Sequence, residues 1–78
     1  LYQESTTAKN YFGGSLGIGT TAPTTSLDVN ADKIRLRTAK TPSSASDTGN
    51  AGDICWDDSY VYVCVATNTW KRSKIVSW

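Results

Sequence analysis

The sequence predicts an all-β protein: an elongated, intertwined homotrimer with a small three-stranded β-meander head at its C-terminal end. Three observations predict it. Glycines and β-branched residues interrupt every helical pattern in the first 40 residues. Polar and apolar residues alternate in the last third of the chain. Only 14 of the 78 residues are Leu, Ile, Val or Phe, too few for a self-sufficient core, so copies are expected to pool their apolar faces.

Residues 1–40 are predicted to form a fibrous strand-and-turn stalk. Leu16 and Ile18 alternate with glycines in one short strand, and Leu27 and Val29 alternate with Asp in a second, with a turn at Ala22-Pro23 between them. The segment 33–37 alternates strictly between cations and apolar residues, which predicts a third, half-buried strand. A helix is disfavoured there because two residues two positions apart lie about 200° apart on a helix. This third strand would carry Ile34 and Leu36 on one face.

Residues 41–51 are small and polar, which predicts a Ser/Thr-rich linker. Two interpretations of this linker stay open. It is either a flexible hinge between two folded parts or an ordered loop held by a partner chain.

Residues 52–78 are predicted to form the trimerisation head, a β-meander with strands at 52–56, 60–66 and 70–72 and a finishing strand at 73–78. A two-residue turn at Asp58-Ser59 would place Ile54 opposite Val63 and Trp56 opposite Val61, with Val65 next along, on one apolar face. The other face would carry polar, aromatic and thiol side chains: Asp53, Cys55, Tyr60, Tyr62 and Cys64.

An apolar sheet face with no helix to cover it requires a partner, because leaving it in water favours aggregation. Burying each large apolar side chain is worth roughly 1.5–3 kcal/mol. The predicted trimer interface combines the apolar positions of stalk and head: Leu16, Ile18, Leu27, Val29, Ile34, Leu36, Ile54, Trp56, Val61, Val63 and Val65.

Two stretches resemble proteins of bacteriophage fibres. The stretch 16–29, LGIGTTAPTTSLDV, is similar to a "GIGT…P…LDV" motif of phage tail fibres and related trimeric surface proteins. The stretch from Gly52 to Arg72 resembles a module at the C-terminal ends of phage fibre proteins, and its plan is similar to the trimerising hairpin propeller called foldon. The two stretches cover about half of the chain. The resemblance implies a trimeric, all-β fibre segment whose glycines let chains approach closely around an axis.

The sequence Trp70-Lys71-Arg72 is a candidate receptor surface. An exposed tryptophan flanked by cations can stack on a sugar ring, whereas a packed one would leave only the two cations in solvent. A three-residue loop at 67–69 would put Trp70 on the face of the tyrosines, and a two-residue loop would put it with the valines.

Composition excludes several functional classes. The absence of His removes imidazole catalysis and imidazole metal ligation, and the net charge of +1 provides no electrostatic footprint for nucleic acid. No apolar run is long enough to span a bilayer. We therefore expect no enzyme, no catalytic residues, no cofactor, no metal site, no nucleic-acid partner and no membrane insertion. A glycosidase built on two carboxylates is the only enzymatic alternative.

The acids and thiols of the head have structural interpretations. Asp53, Asp57 and Asp58 are expected to serve turn chemistry, since Asp readily bonds nearby backbone amides, although a carboxylate pair or a cation site is an alternative. Cys55 and Cys64 are expected to be small buried hydrophobic residues. Their predicted diagonal placement, about 7–8 Å apart, makes a disulfide possible but not favoured.

The predicted function is that of a structural virion protein, the distal part of a trimeric phage tail fibre that locks three chains in register and presents a host-receptor surface. Its partners would be two copies of itself, other tail or capsid proteins, and a glycan or protein on the host surface. It would lie on the virion, outside the cell. The alternative is a capsid-decorating fibre or a cell-surface adhesin module. With no Met in the chain, we expect it to be a C-terminal piece of a longer protein.

Overall fold

The computed structural model describes residues 4–78, so the first three residues of the predicted stalk lie outside it. Two compact units divide the chain between Ile34 and Arg35. The all-β prediction is confirmed, since the described residues contain five strands and no helix. No helix long and apolar enough to cross a membrane occurs in this part of the chain. The strands are β1 Leu16–Ile18, β2 Leu27–Val29, β3 Ile54–Trp56, β4 Tyr60–Ala66 and β5 Thr69–Lys74.

The first unit contains the two predicted short strands, which pair in parallel as β1 and β2. Parallel strands usually need a crossover of a dozen or more residues, but here residues 19–26 suffice. The loop closes where Asn30 donates its side-chain amide to the Gly19 carbonyl at 2.9 Å. Gly17 is required by close approach, because a Cβ there would lie 2.5 Å from the Thr20 carbonyl oxygen. The glycines of this segment thus permit a tight return of the chain.

The prediction of a strand at 33–37 is wrong. These residues belong to no strand and have no regular secondary structure, and the boundary between the two units falls inside the segment. Ile34 is 76% exposed and Leu36 is 51% exposed. Alternation specifies which side chains share a face, but a strand also needs a neighbouring backbone, and none pairs with this segment among the described residues.

The second unit is an antiparallel meander of β3, β4 and β5. The predicted register is confirmed, with Ile54 opposite Val63 and Trp56 opposite Val61. The Asp57 amide donates to the Tyr60 carbonyl at 3.0 Å, which closes the predicted two-residue turn. The prediction of a finishing strand at 73–78 is wrong beyond Lys74, where β5 ends.

The second turn resolves the position of Trp70. Ala66 pairs with Thr69, which leaves a two-residue turn in which Asn68 adopts a left-handed φ of 53°. A two-residue turn alone would have put Trp70 with the valines. However, the register shifts between Cys64 and Ala66, and this bulge places Trp70 opposite Cys64.

The sheet therefore has two different faces. The tyrosine face, defined by Cys55, Tyr60, Tyr62, Cys64, Trp70 and Arg72, contains the core. Within it, Tyr62 is 5% exposed and Cys64 is fully buried. The valine face, defined by Ile54, Trp56, Val61 and Val63, is mostly open: Ile54 is 60% exposed and Val63 is 36% exposed.

Residues 40–50, here called the covering loop, run along the sheet. The Lys40 amide donates to the Trp56 carbonyl, the Trp70 amide to the Ala45 carbonyl, and the Asn68 amide to the Gly49 carbonyl, all at 2.8–2.9 Å. The residues predicted as a linker are therefore held by their own sheet, an arrangement that neither sequence interpretation anticipated. The division into a stalk (1–40), a linker (41–51) and a head (52–78) stays a prediction.

Candidate functional site

A pocket of about 330 Å³ lies between the covering loop and the tyrosine face. Pro42 to Ala45 form one wall, and Tyr62 and Trp70 to Arg72 form the other. The three residues of the candidate receptor surface all contribute to it. That they bind a receptor stays a prediction.

Trp70 is packed rather than presented as an open platform. Its Nε1–H donates to the Asp47 carbonyl at 3.0 Å, and the side chain is half-buried. The ring lies so close to Gly49 that a Cβ at this glycine would meet Cζ2 of Trp70 at 2.7 Å. The covering loop thus fixes the indole and leaves part of its surface to line the pocket.

Arg72 is fixed by an aromatic ring. Its guanidinium carbon lies 4.2 Å from the centre of the Tyr60 ring, a cation–π contact, and the Tyr60 and Tyr62 rings are 5.8 Å apart. Within residues 4–78 the one salt bridge joins Lys33 to Asp32. The charge of Arg72 is therefore oriented but not neutralised by a carboxylate of the described chain.

Asp57 joins the covering loop, the first turn and the sheet. Its carboxylate accepts hydrogen bonds from Thr41 Oγ1 and Tyr62 OH, both at 2.5 Å, and from the amides of Ser59 and Tyr60 at 2.9 and 2.8 Å. The Thr41 hydroxyl, followed by the Tyr62 hydroxyl and the two amides, holds the pKa of Asp57 well below its usual value. The hydrogen bond from the Tyr62 hydroxyl to Asp57 also raises the pKa of Tyr62.

The other two turn acids also bond locally. Asp53 accepts from the Asn50 amide at 2.9 Å, and Asp58 accepts from Ser59 Oγ at 3.2 Å. In residues 4–78 no three His, Cys, Asp or Glu side chains lie close enough together to hold a metal ion. The turn interpretation of these acids accounts for the bonds that they make.

Both cysteines are free thiols. Cys64 donates from Sγ to the Ala66 carbonyl at 3.0 Å within the core. Cys55 is half-buried, and its pKa is raised because burial disfavours the thiolate. Neither has the environment of an activated nucleophile.

The predicted interface residues fall into the two units. Leu16 and Val29 are half-buried in the first unit, while Ile18 and Leu27 are about half exposed. In the second unit the sheet brings the residues of the valine face together. Val65 lies at the bulge and is 47% exposed. Their role in a trimer stays a prediction.

Sequence reasoning missed the residues that cover the sheet. Pro42 is buried, Asp47 and Gly49 are half-buried, and Asp47 accepts from the amides of Ser43 and Thr48. These two amides lower the pKa of Asp47. A signal was present, since Asp flanked by Ser and Thr commonly forms turns bonded by its own side chain.

Two curated phage proteins are similar to this chain. It is 41% identical over 56 residues to "Depolymerase, capsule K30/K69-specific" of Klebsiella phage K64-1, which covers 72% of this chain and 7% of that protein. It is 58% identical over 36 residues to "Depolymerase 1, capsule K30/K69-specific" of Klebsiella phage K5-2, which covers 46% of this chain and 4% of that protein. The chain thus corresponds to less than a tenth of either relative.

No protein-family model matches the chain, and no solved structure matches it. The likeness to foldon and to the fibre motif therefore stays a prediction. The similarity to the two phage proteins supports the coarser conclusion that this is a virion-associated protein of a phage tail.

The expectation that the protein is not an enzyme is wrong. Both relatives are named as depolymerases, which are enzymes, and this finding overturns the argument from the missing His. That argument considered only the residues of this chain, whereas the relatives are more than ten times longer than the matched segments. The composition of so short a segment carries no information on chemistry performed elsewhere in a long polypeptide.

Proposed function

We propose that this chain is a segment of a phage tail-associated depolymerase that degrades bacterial capsular polysaccharide, and that the segment holds three copies in register. The similarity to two capsule depolymerases supports the enzymatic context. The valine face is the single observation that carries the assembly role. The proposed protein acts outside the host cell, on the virion.

The two faces of the sheet differ in a way that favours assembly. The covering loop lies over the tyrosine face within one chain, where Tyr62 and Cys64 are buried, so the centre of that face needs no partner. Ile54, Val61 and Val63 on the opposite face are 36–60% exposed. Covering them removes apolar area from water, which stabilises at about 25 cal/mol per Å². Three copies with their valine faces directed to a common axis would achieve this.

Light scattering of the purified 78-residue chain tests the assembly. A trimer would have three times the 8.4 kDa of one chain. A monodisperse mass of one chain, with a cooperative unfolding transition, would contradict the proposed assembly.

The enzymatic context needs a separate test on the longer polypeptide that carries this segment. Incubation with purified capsular polysaccharide should shorten the polymer, measured as a shift to later elution in size-exclusion chromatography. A heat-denatured sample is the control. Unchanged elution of polysaccharides from a broad set of capsule types would contradict the proposed activity.

A further inference from the structure

The pocket beneath the covering loop has the size and lining of a small-ligand site. Its volume of about 330 Å³ lies at the lower end of the range of roughly 300–1,000 Å³ for such sites. That space suits a single ring with its substituents and excludes a helix or strand of a partner protein. The ligand must therefore be small, or one unit of a longer polymer.

The lining specifies the chemistry of that unit. Arg72 contributes a cationic side chain from the tyrosine face, whereas Lys71 lies opposite Val63 and directs its side chain to the other face. No Asp or Glu among the described residues lines the pocket. Ser43 and Ser44 lie on the opposite wall, where their hydroxyls can donate to and accept from hydroxyls of a ligand. Trp70 supplies an apolar surface of the kind on which a ring packs. A guanidinium, hydroxyls and an aromatic ring together match a sugar that carries a carboxylate.

The site is organised before any ligand enters. Arg72 is held over the Tyr60 ring, and Trp70 is held by its bond to the Asp47 carbonyl. The loop wall is tied to β5 through the Trp70 amide and the Ala45 carbonyl. A fixed guanidinium loses little conformational freedom when it binds a carboxylate, which favours affinity.

From this arrangement we infer that the pocket binds a uronic acid residue of a polysaccharide, with Arg72 bonding its carboxylate and Trp70 packing against its ring. The inference rests on the proposed function for the source of the polysaccharide. It does not depend on the trimer, because every lining residue belongs to the second unit of one chain.

The test uses the 78-residue chain, ¹⁵N-labelled, and follows the indole N–H signals of its three tryptophans. Methyl glucuronide is the probe, and methyl glucoside is the neutral control of the same ring. The Trp70 signal, assigned with Trp70→Phe, should shift in a saturable way with the glucuronide only. The Trp56 and Trp78 signals should stay in place, because neither residue lines the pocket.

Arg72→Gln should weaken glucuronide binding by at least about tenfold, since a hydrogen bond between charged groups is lost. Lys74→Gln is the matched control, because Lys74 is a cation on the same strand outside the pocket and should leave the affinity unchanged. If Arg72→Gln does not fold, Ser44→Trp, which fills the pocket from the exposed loop, should abolish binding.

Equal shifts with both glycosides, no shift with either, or unchanged affinity in the folded Arg72→Gln or Ser44→Trp variant would overturn the inference. The mass of the same sample, measured by light scattering, distinguishes a failure of this inference from a failure of the proposed assembly. A trimer that does not bind rejects the pocket alone. A monomer that binds glucuronide rejects the assembly alone.

Discussion

Asp57 concentrates more hydrogen bonds than any other described carboxylate, and it connects parts of the chain that are distant in sequence. It bonds Thr41 in the covering loop, Tyr62 in β4, and the two amides that follow it in the first turn. Bonds to a charged acceptor are stronger than neutral ones. The carboxylate therefore couples closure of the turn to attachment of the loop.

The stability of the second unit should depend on pH through Asp57. Its pKa in the folded chain lies below the ordinary value of 3.8. Its stabilising contribution is therefore complete above pH 3.8 and is lost as the pH falls toward the folded pKa. Thermal unfolding followed by circular dichroism between pH 7 and pH 2 should show a falling Tm.

Asp57→Asn should lower the Tm at pH 7 and make it less sensitive to pH below about 4. Asp58→Asn is the control, because within the described part of the chain Asp58 makes only the bond to Ser59 Oγ. An Asp57→Asn variant with the same Tm and the same pH profile as the parent chain would show that the carboxylate does not hold the loop.

Gly49 should be intolerant of any side chain. A Cβ at this position would lie 2.7 Å from Cζ2 of the half-buried Trp70 and 2.9 Å from Sγ of the buried Cys64. Gly49→Ala should therefore lower the free energy of unfolding by about 1–3 kcal/mol, as overpacking does. Gly14→Ala, whose Cβ meets nothing within 4 Å, is the matched control. Equal stability of the two variants in chemical denaturation would contradict the packing described for the loop.

At the scale of elements, the covering loop and β5 behave as a pair. The loop supplies carbonyl acceptors along part of the outer edge of β5, which would otherwise be an open sheet edge. Small residues such as Ala45 and Gly49 make this approach possible because they keep the two backbones close. The loop thus performs the role of a fourth strand without having a strand pattern.

Amide hydrogen exchange should detect this attachment. The Trp70 and Asn68 amides, which donate to loop carbonyls, should exchange on the order of 100-fold or more slowly than in an unfolded chain. The Arg72 amide, two residues along β5, makes no such bond to the loop and serves as an internal reference. Equally fast exchange at Trp70 and Arg72 would support a flexible hinge instead.

At the scale of the whole molecule, the proposed assembly of three chains depends on the valine face. Val63→Asp places a charge at the centre of that face and should reduce the mass in light scattering to the 8.4 kDa of one chain, or leave the chain unfolded. Val76→Asp is the matched control, because Val76 is 79% exposed and lies beyond β5. A Val63→Asp trimer of normal Tm would place this face outside the interface.

Much of the meander was predictable. The alternation on both sides of Asp58-Ser59 fixed which residues of β3 and β4 face each other, because a slip of one residue would exchange the two faces. The same reasoning failed for Ile34 and Leu36, because no strand among residues 4–78 pairs with their segment. It also left the position of Trp70 open, because the bulge between Cys64 and Ala66 carries no sequence pattern of its own.

The sequence by itself determined the all-β class, the strands of the meander and the separation of tyrosines from valines, since these follow from local propensity and from a period of two. Only the tertiary structure decided which face is covered. The loop that buries Tyr62 and Cys64 is polar and aperiodic, and it is held by backbone bonds and by the contacts of Asp57 and Gly49. Such contacts join residues far apart in the chain, and no local pattern encodes them.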